Sequence, residues 1–204
     1  MGQYLNCPFC NPVGTAFKGN TLIADLSVLK MFTGATSLGR GVFNGCTNLS
    51  QINLRNIAYI DSHYSGTNTP FDNVALTKII LPNLRTSGNN LFRAAKQTTV
   101  IDIGPNYTSA FYQMASGSVP QKTHTYILRS TQMLSINDTT TYNFNPKAIY
   151  VPANLLDTYK NNSAWSSYWS NVIHAIGGEE WVTQFGSSDE YADLTQQEYL
   201  DNYA

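Results

Sequence analysis

Residues 36–54 read TSLGRGVFNGCTNLSQINL, and this stretch decides the fold. It ends in Leu49-x-x-Ile52-x-Leu54, in which the last two apolar residues lie two positions apart. On a β-strand such residues point to the same side, while the residue between them points to the other. The stretch therefore predicts a short strand with one apolar face.

The same signature recurs along the chain at intervals of 22 to 27 residues, within the range of leucine-rich-repeat solenoids. A strand of about five residues cannot bury its apolar face alone, so successive units are expected to stack as a parallel sheet. The other five copies are Leu26-x-x-Leu29-x-Met31, Leu76-x-x-Ile79-x-Leu81, Thr98-x-x-Ile101-x-Ile103, Thr123-x-x-Tyr126-x-Leu128 and Pro146-x-x-Ile149-x-Val151.

Aromatic residues precede most of these strands, each followed three positions later by a smaller apolar residue. Across a turn both side chains reach into one layer, so they predict the wall opposite the strands. Segments 36–39, 57–60 and 84–88 lie between strand and aromatic residue and are interpreted as corners. The aromatic pairs are Phe43 with Cys46, Phe71 with Val74, Phe92 with Ala95, and Phe111 with Met114.

Residues 36–54 resemble the repeat unit of the BspA-like leucine-rich repeats, V-T-S-I-G-x-x-A-F-x-x-C-x-x-L-x-x-I-x-I-P. Residues 57–82 match it fairly and 84–152 in outline, while 148–168 look like the way such arrays end. The resemblance implies an α/β leucine-rich-repeat solenoid of about six repeats, mostly short parallel strands with a small helical C-terminal cap. It also implies a non-catalytic recognition or adhesion module of a bacterial surface or secreted protein.

The predicted organisation has four parts. Residues 1–25 form an N-terminal cap or degenerate repeat, 26–152 the repeats, 153–178 a C-terminal capping helix region and 179–204 an acidic tail. Seven of the thirteen acidic residues lie in this tail, without any Lys or Arg. The tail is expected to tuck Trp181 and Phe185 against the last repeat, and the alternative is an assembly contact with a neighbouring subunit.

Composition narrows the possible partners. Only 12% of residues are charged, about half the usual share, and the net charge is −1 without a basic run, which disfavours nucleic acid. No apolar stretch reaches the ~18 residues of a membrane span, and no secretory signal opens the sequence. The family's usual setting implies the cell surface or extracellular space, with a signal lost by truncation or a different delivery route. The alternative is a virion or other assembly component, which needs no signal.

Catalytic and metal-binding patterns are weak, and we expect no enzyme activity, cofactor or metal site. Cys7 and Cys10 form a C-x-x-C pair, but no β-α-β pattern surrounds it, the only other cysteine is Cys46, and the three histidines show no metal-ligand spacing. A disulfide between Cys7 and Cys10 remains open, and Cys46 is interpreted as a buried core thiol. His63 lies in the polar segment 61–66, where we expect solvated hydrogen bonds rather than a triad.

Residues between the inward-facing positions are expected to face the open side of the sheet, the surface that curved solenoids use for binding. This surface mixes amides, charges, aliphatic groups and a tyrosine, so a protein or glycan partner fits better than a small cofactor. Alternatives are plain side-chain ladders and an aromatic site from Tyr107, Tyr112, Tyr142, Trp165 and Trp169. The candidate partner-binding residues are Gln51, Asn53, Lys78, Ile80, Asp102, Ile127 and Tyr150.

Overall fold

The computed structural model describes residues 17–26, 35–52, 54–61, 69–92, 94–111, 124–136 and 146–187. These residues form short strands followed by a small helical segment. The strands are β1 Asp25–Leu26, β2 Ser37–Leu38, β3 Gln51–Ile52, β4 Tyr59–Ile60, β5 Lys78–Leu81, β6 Thr86–Ser87, β7 Val100–Ile103, β8 Thr125–Leu128, β9 Ala148–Val151 and β10 Ile173–Ala175. The helices are α1 Leu156–Asn161, α2 Ser163–Trp169 and α3 Glu179–Phe185, and a 3-10 turn at Ala153–Leu155 precedes α1.

All the described strand pairs are parallel, and they form three sheets. The main sheet has the order β5-β7-β8-β9-β10, and the second sheet has the order β2-β4-β6. The remaining pair, β1 with β3, forms a two-stranded sheet. The prediction of short parallel strands with a small helical C-terminal segment is confirmed.

The inner face of the main sheet carries the apolar signature residues, as predicted. Ile79, Ile101, Tyr126 and Ile149 pair in one row across β5, β7, β8 and β9. All four are buried in one apolar cluster, the main core, which also takes Leu38 and Ile60 from the second sheet. Burial at about 25 cal/mol per Å² of apolar area is what holds strands of only four residues together.

The first signature is displaced by three residues from its predicted position. β1 pairs Leu26 with Ile52, so Leu26 occupies the second apolar position of the signature and not the first. Ile23, which packs against the main core, then takes the first position, and the sequence reads Ile23-x-x-Leu26. Phe17 precedes Leu26 by the same number of residues as Phe43 precedes Ile52. The rings of Phe17 and Phe43 stack at 5.8 Å between centroids.

The segments interpreted as corners contain the strands of the second sheet. Ser37, Tyr59 and Thr86 pair in one row and Leu38, Ile60 and Ser87 in the next. The second row is buried, whereas Tyr59 and Thr86 are exposed, which is the alternation of a strand covered on one face. Two residues per strand are too few for this alternation to stand out in the sequence.

The aromatic wall lies where the sequence predicts it. Phe43, Phe71, Phe92 and Phe111 are fully buried in the main core. Phe71 stacks on Phe92 at 5.8 Å, and Phe111 meets the edge of Tyr126 at 5.6 Å. These contacts join the wall to the inner face of the main sheet.

Helices α1 and α2 close the C-terminal end of the main core. Trp165 and Trp169, four residues apart on α2, are both buried, and the ring of Trp165 lies 4.8 Å from Phe111. Trp165 Nε1 donates to the backbone oxygen of Leu134 at 3.0 Å, and the Tyr159 hydroxyl accepts from the Leu134 amide at 3.0 Å. The chain then forms β10, turns at Gly177 and Gly178, and enters α3.

Candidate functional site

The outer face of the main sheet brings five of the seven predicted partner-binding residues into two rows, whereas Gln51 lies on β3 in the separate β1-β3 sheet. One row runs through Lys78, Val100, Thr125 and Ala148. The next row runs through Ile80, Asp102, Ile127, Tyr150 and His174. Four of the seven candidate residues therefore lie in the second row, which crosses five strands, and Lys78 lies in the neighbouring row.

Exposure along these rows changes sharply from one end of the sheet to the other. Lys78 is exposed and Ile80 half-buried on β5, and Gln51 is exposed on β3. Asp102, Ile127 and Tyr150 are 2%, 0% and 1% exposed. Asn53 lies outside the described residues. Among the residues that the structure describes in these rows, those at the β5 end are therefore accessible to a partner.

Helix α3 causes the burial at the other end. Trp181 is 1% exposed and forms a second apolar cluster with Val100, Ile127, Ala148 and Tyr150; we call it the outer cluster. The Trp181 ring meets the edge of Tyr150 at 5.2 Å, and Phe185 lies 4.5 Å from Trp181. The helix places these two rings on one side because residues four apart share a face.

A buried ion pair lies beneath this helix. Arg129 Nε is 2.9 Å from Asp102 Oδ1, and Arg129 Nη2 is 2.9 Å from Asp102 Oδ2, so the guanidinium binds both carboxylate oxygens. The Arg129 guanidinium carbon also lies 6.0 Å from the Trp181 ring centroid, within the range of a cation–π contact. Asp102 is thus a paired, covered charge.

Hydrogen bonds attach α3 to β8 and β9. The Tyr150 hydroxyl lies 3.1 Å from Gln184 Oε1 and 3.2 Å from the backbone oxygen of Glu180. Gln184 Nε2 donates to Thr125 Oγ1 at 3.3 Å. Burial, and then the nearby Glu180 carboxylate, raise the pKa of Tyr150, so it is a neutral hydrogen-bonding group.

An open cleft of about 390 Å³ lies between α3 and the strands β9 and β10. His174 Nδ1 lies 3.5 Å from Glu180 Oε1 at this cleft, and the His174 ring lies 5.6 Å from that of Tyr150. Both polar side chains face the cleft on the α3 side of the outer face. The cleft is lined by Lys147, Tyr150, His174, Glu180, Thr183 and Gln184, among others.

The remaining chemical candidates are structural where the structure describes them. Cys46 is a buried free thiol whose Sγ lies 2.8 Å from the backbone oxygen of Phe17, and burial raises its pKa, so the prediction of a core thiol is confirmed. Tyr107, Trp165 and Trp169 are buried, which leaves them no exposed ring face for a ligand. Cys7, Cys10, His63, Tyr112 and Tyr142 lie outside the described residues.

The described residues contain neither a cluster of metal-binding side chains nor a helix suited to a membrane. No three His, Cys, Asp or Glu side chains within the described ranges lie together as a metal site would require. None of the helices in this part of the chain has the length and apolar character needed to cross a membrane.

The prediction that Trp181 and Phe185 pack against the last repeat is confirmed, whereas sequence reasoning missed Arg129, His174 and Gln184. The structure adds that Trp181 and Phe185 lie four residues apart on α3 and so share one side of that helix. The sequence did not indicate which face of the sheet receives this helix. Arg129 follows a strand directly and carries no pattern that links it to Asp102.

Comparison with protein-family models, with curated proteins and with solved structures finds no match for this chain.

Proposed function

We propose that this chain is a non-catalytic recognition module, built as a leucine-rich-repeat solenoid of the BspA-like type, in a bacterial surface or secreted protein. It binds a protein or glycan partner through the uncovered end of the outer face. The observation that carries the proposal is the exposure of Lys78 and the half-exposure of Ile80 on β5, in the same rows as residues that α3 buries.

The chemistry of this end suits an extended partner. An ammonium group and an aliphatic side chain stand two residues apart on one face of β5, and an amide, Gln51, is exposed on β3. Small ligands are usually held in enclosed, largely apolar pockets, whereas flat mixed surfaces of parallel strands accommodate macromolecules. On β5, Lys78 can offer a hydrogen-bond donor and Ile80 an apolar contact, and the Gln51 amide on β3 can offer a donor and an acceptor.

The test is a binding screen on glycan and extracellular-protein arrays with the full chain. The double variant Lys78→Ala with Ile80→Ser should weaken binding to any hit by about tenfold or more, since a central contact is worth over 1 kcal/mol. Lys96→Ala removes an exposed lysine from a turn outside the strands and should bind like the wild type. Equal binding by the double variant would place the contact surface elsewhere.

The alternative drawn from the sequence is a phage virion or other assembly component that docks through the acidic tail or the N-terminal cap. Its support is the concentration of seven acidic residues after Gly178 without a compensating base. The first part of this tail is α3, whose apolar side packs on the main sheet. An assembly contact by the tail would therefore use the exposed side of α3 or residues beyond Ser187.

A further inference from the structure

Helix α3 binds the outer face through one of its sides only. Trp181 is 1% exposed against the outer cluster, whereas the adjacent Val182 is 46% exposed on the solvent side. Phe185 packs partly buried on the same cluster. The contact therefore has the form of an amphipathic helix lying on a receptor surface, with an aromatic pair as its anchor.

The main core is closed without α3. The outer cluster shares no buried residue with the main core, because the two lie on opposite faces of the same strands. The end of the main core is covered by Trp165 and Trp169 of α2. Removal of α3 would thus uncover the outer cluster and leave the main core enclosed.

Two consecutive glycines between β10 and α3 provide a candidate hinge. Gly177 has a φ of +75°, a conformation that favours glycine, and a Cβ at this position would meet nothing within 4 Å. Gly178 follows and is the residue before the first turn of α3. The Gly178 amide donates to the backbone oxygen of Ala175 at 3.1 Å, so a rotation at these two glycines would break one turn hydrogen bond.

The helix itself depends on the surface that it covers. It has seven residues, and isolated helices shorter than about 12 residues are marginal in water. No side chain caps its N-terminus. The order of α3 and its attachment to the sheet are therefore coupled, so detachment also unwinds it.

The covered surface keeps polar groups that an apolar packing surface does not need. The Asp102–Arg129 pair, Thr125 Oγ1 and the Tyr150 hydroxyl all lie beneath or beside α3. A buried ion pair contributes little net stability compared with well-packed apolar residues. These groups would give a polar partner directional contacts once α3 had left.

We propose that α3 is a displaceable intramolecular cover of the recognition face, hinged at Gly177 and Gly178. This inference rests on the proposed function, because it extends the same face from β5 to β9. The contacts of α3 define the partner: a protein segment with two aromatic rings one helical turn apart and an amide that reaches Thr125 and Tyr150. Such a segment occupies the face in place of α3.

The test is hydrogen exchange of the full chain, read by mass spectrometry without any partner. In the wild type, the amides of α3 should exchange through a local opening, faster than those of β8 and β9. Trp181→Ala should accelerate exchange in α3 on the order of 100-fold, since a buried Trp anchor is lost, and leave β8 and β9 protected. Val182→Ala is the matched control on the exposed side and should behave like the wild type.

A parallel measurement with the dye 1-anilinonaphthalene-8-sulfonate reports the uncovered face. Its fluorescence should rise with Trp181→Ala and stay unchanged with Val182→Ala. Should Trp181→Ala lose its cooperative thermal transition, the milder Phe185→Ala takes its place. Two results would contradict the proposal that α3 is a displaceable cover. One is exchange of α3, β8 and β9 in a single step, and the other is unchanged protection of α3 in the Trp181 and Phe185 variants. Because no partner is present, either result leaves the proposed function to its own test.

Discussion

The two faces of the main sheet are made by the same strands, yet they are covered in opposite ways. The inner face, with Ile79 and Ile101, is enclosed by the second sheet, the aromatic wall and the capping helices. The outer face carries one seven-residue helix over one end and leaves β5 accessible at the other. The comparison shows that the inner side of these strands is enclosed throughout, whereas the outer side is packed under α3 and exposed at β5.

Two neighbouring isoleucines on β5 test this division most strongly. Ile79 faces the main core at 1% exposure, while Ile80 points to the outer face and is half-buried. Ile79→Ala should lower the free energy of unfolding by about 2–5 kcal/mol, because it leaves a cavity in a packed core. Ile80→Ala should lower it by about 1 kcal/mol or less. Denaturant unfolding followed by circular dichroism measures both.

The pair is its own control, since both variants make the same chemical change on adjacent residues of one strand. Similar losses in the two variants would mean that the outer face at β5 is packed as tightly as the inner one. That result would also remove the accessible surface on which the proposed function rests.

A substitution beneath α3 tests the covered end of the outer face. Asp102→Ala leaves the Arg129 guanidinium without its partner and should cost about 2 kcal/mol of unfolding free energy. This cost is below the ~3–5 kcal/mol lost when a fully buried ion pair is broken, because the Arg129 side chain is 15% exposed.

The double variant Asp102→Leu with Arg129→Met removes both charges and should lie within about 1 kcal/mol of the wild type. Thermal and denaturant unfolding of the three proteins measure this difference. If the double variant were as unstable as Asp102→Ala, the ion pair itself would be needed for stability and would no longer argue for a role in binding.

The smallest expected effect concerns a polar group on the enclosed side. His124 is buried, with Nε2 at 3.2 Å from the backbone oxygen of Ala95 and Nδ1 at 3.4 Å from the Tyr126 hydroxyl. Burial lowers its pKa below the ordinary value of 6.5. The unfolded chain then binds the proton more readily, so the stability from neutral His124 is complete above about pH 6.5 and is lost as the pH falls through the folded-state pKa.

Melting curves from pH 8 to pH 5 should therefore show a smaller loss of stability in His124→Gln than in the wild type, since glutamine does not titrate. The difference between the two curves isolates His124 from the other two histidines. Parallel curves would show that His124 takes up a proton in the folded protein without cost.

Much of the fold follows from residue spacing. The apolar pairs 79 and 81, 101 and 103, 126 and 128, and 149 and 151 predicted four strands and the face that each one buries. The aromatic residues predicted the opposite wall. The first signature was misplaced, because Ile23, Leu26 and Leu29 are all apolar and three residues apart, so the sequence fits two registers. Pairing of Leu26 with Ile52 selects one of them.

The candidate site was less predictable for a physical reason. Strand periodicity places Ile80, Asp102, Ile127 and Tyr150 on one face, and the structure brings them into one row. Periodicity says nothing about what lies above that row. The ion pair of Asp102 with Arg129 depends on neighbouring strands, and the burial of Tyr150 depends on a helix about 30 residues further along the chain.

The sequence by itself determined the spacing of the strands, the apolar inner face and the aromatic wall, because these depend on which residues share a side of a local element. Only the tertiary structure decided the second sheet, the register of β1 and the covering of the outer face by α3. Those features depend on where distant segments meet, and for α3 on the direction that the chain takes after Gly177 and Gly178.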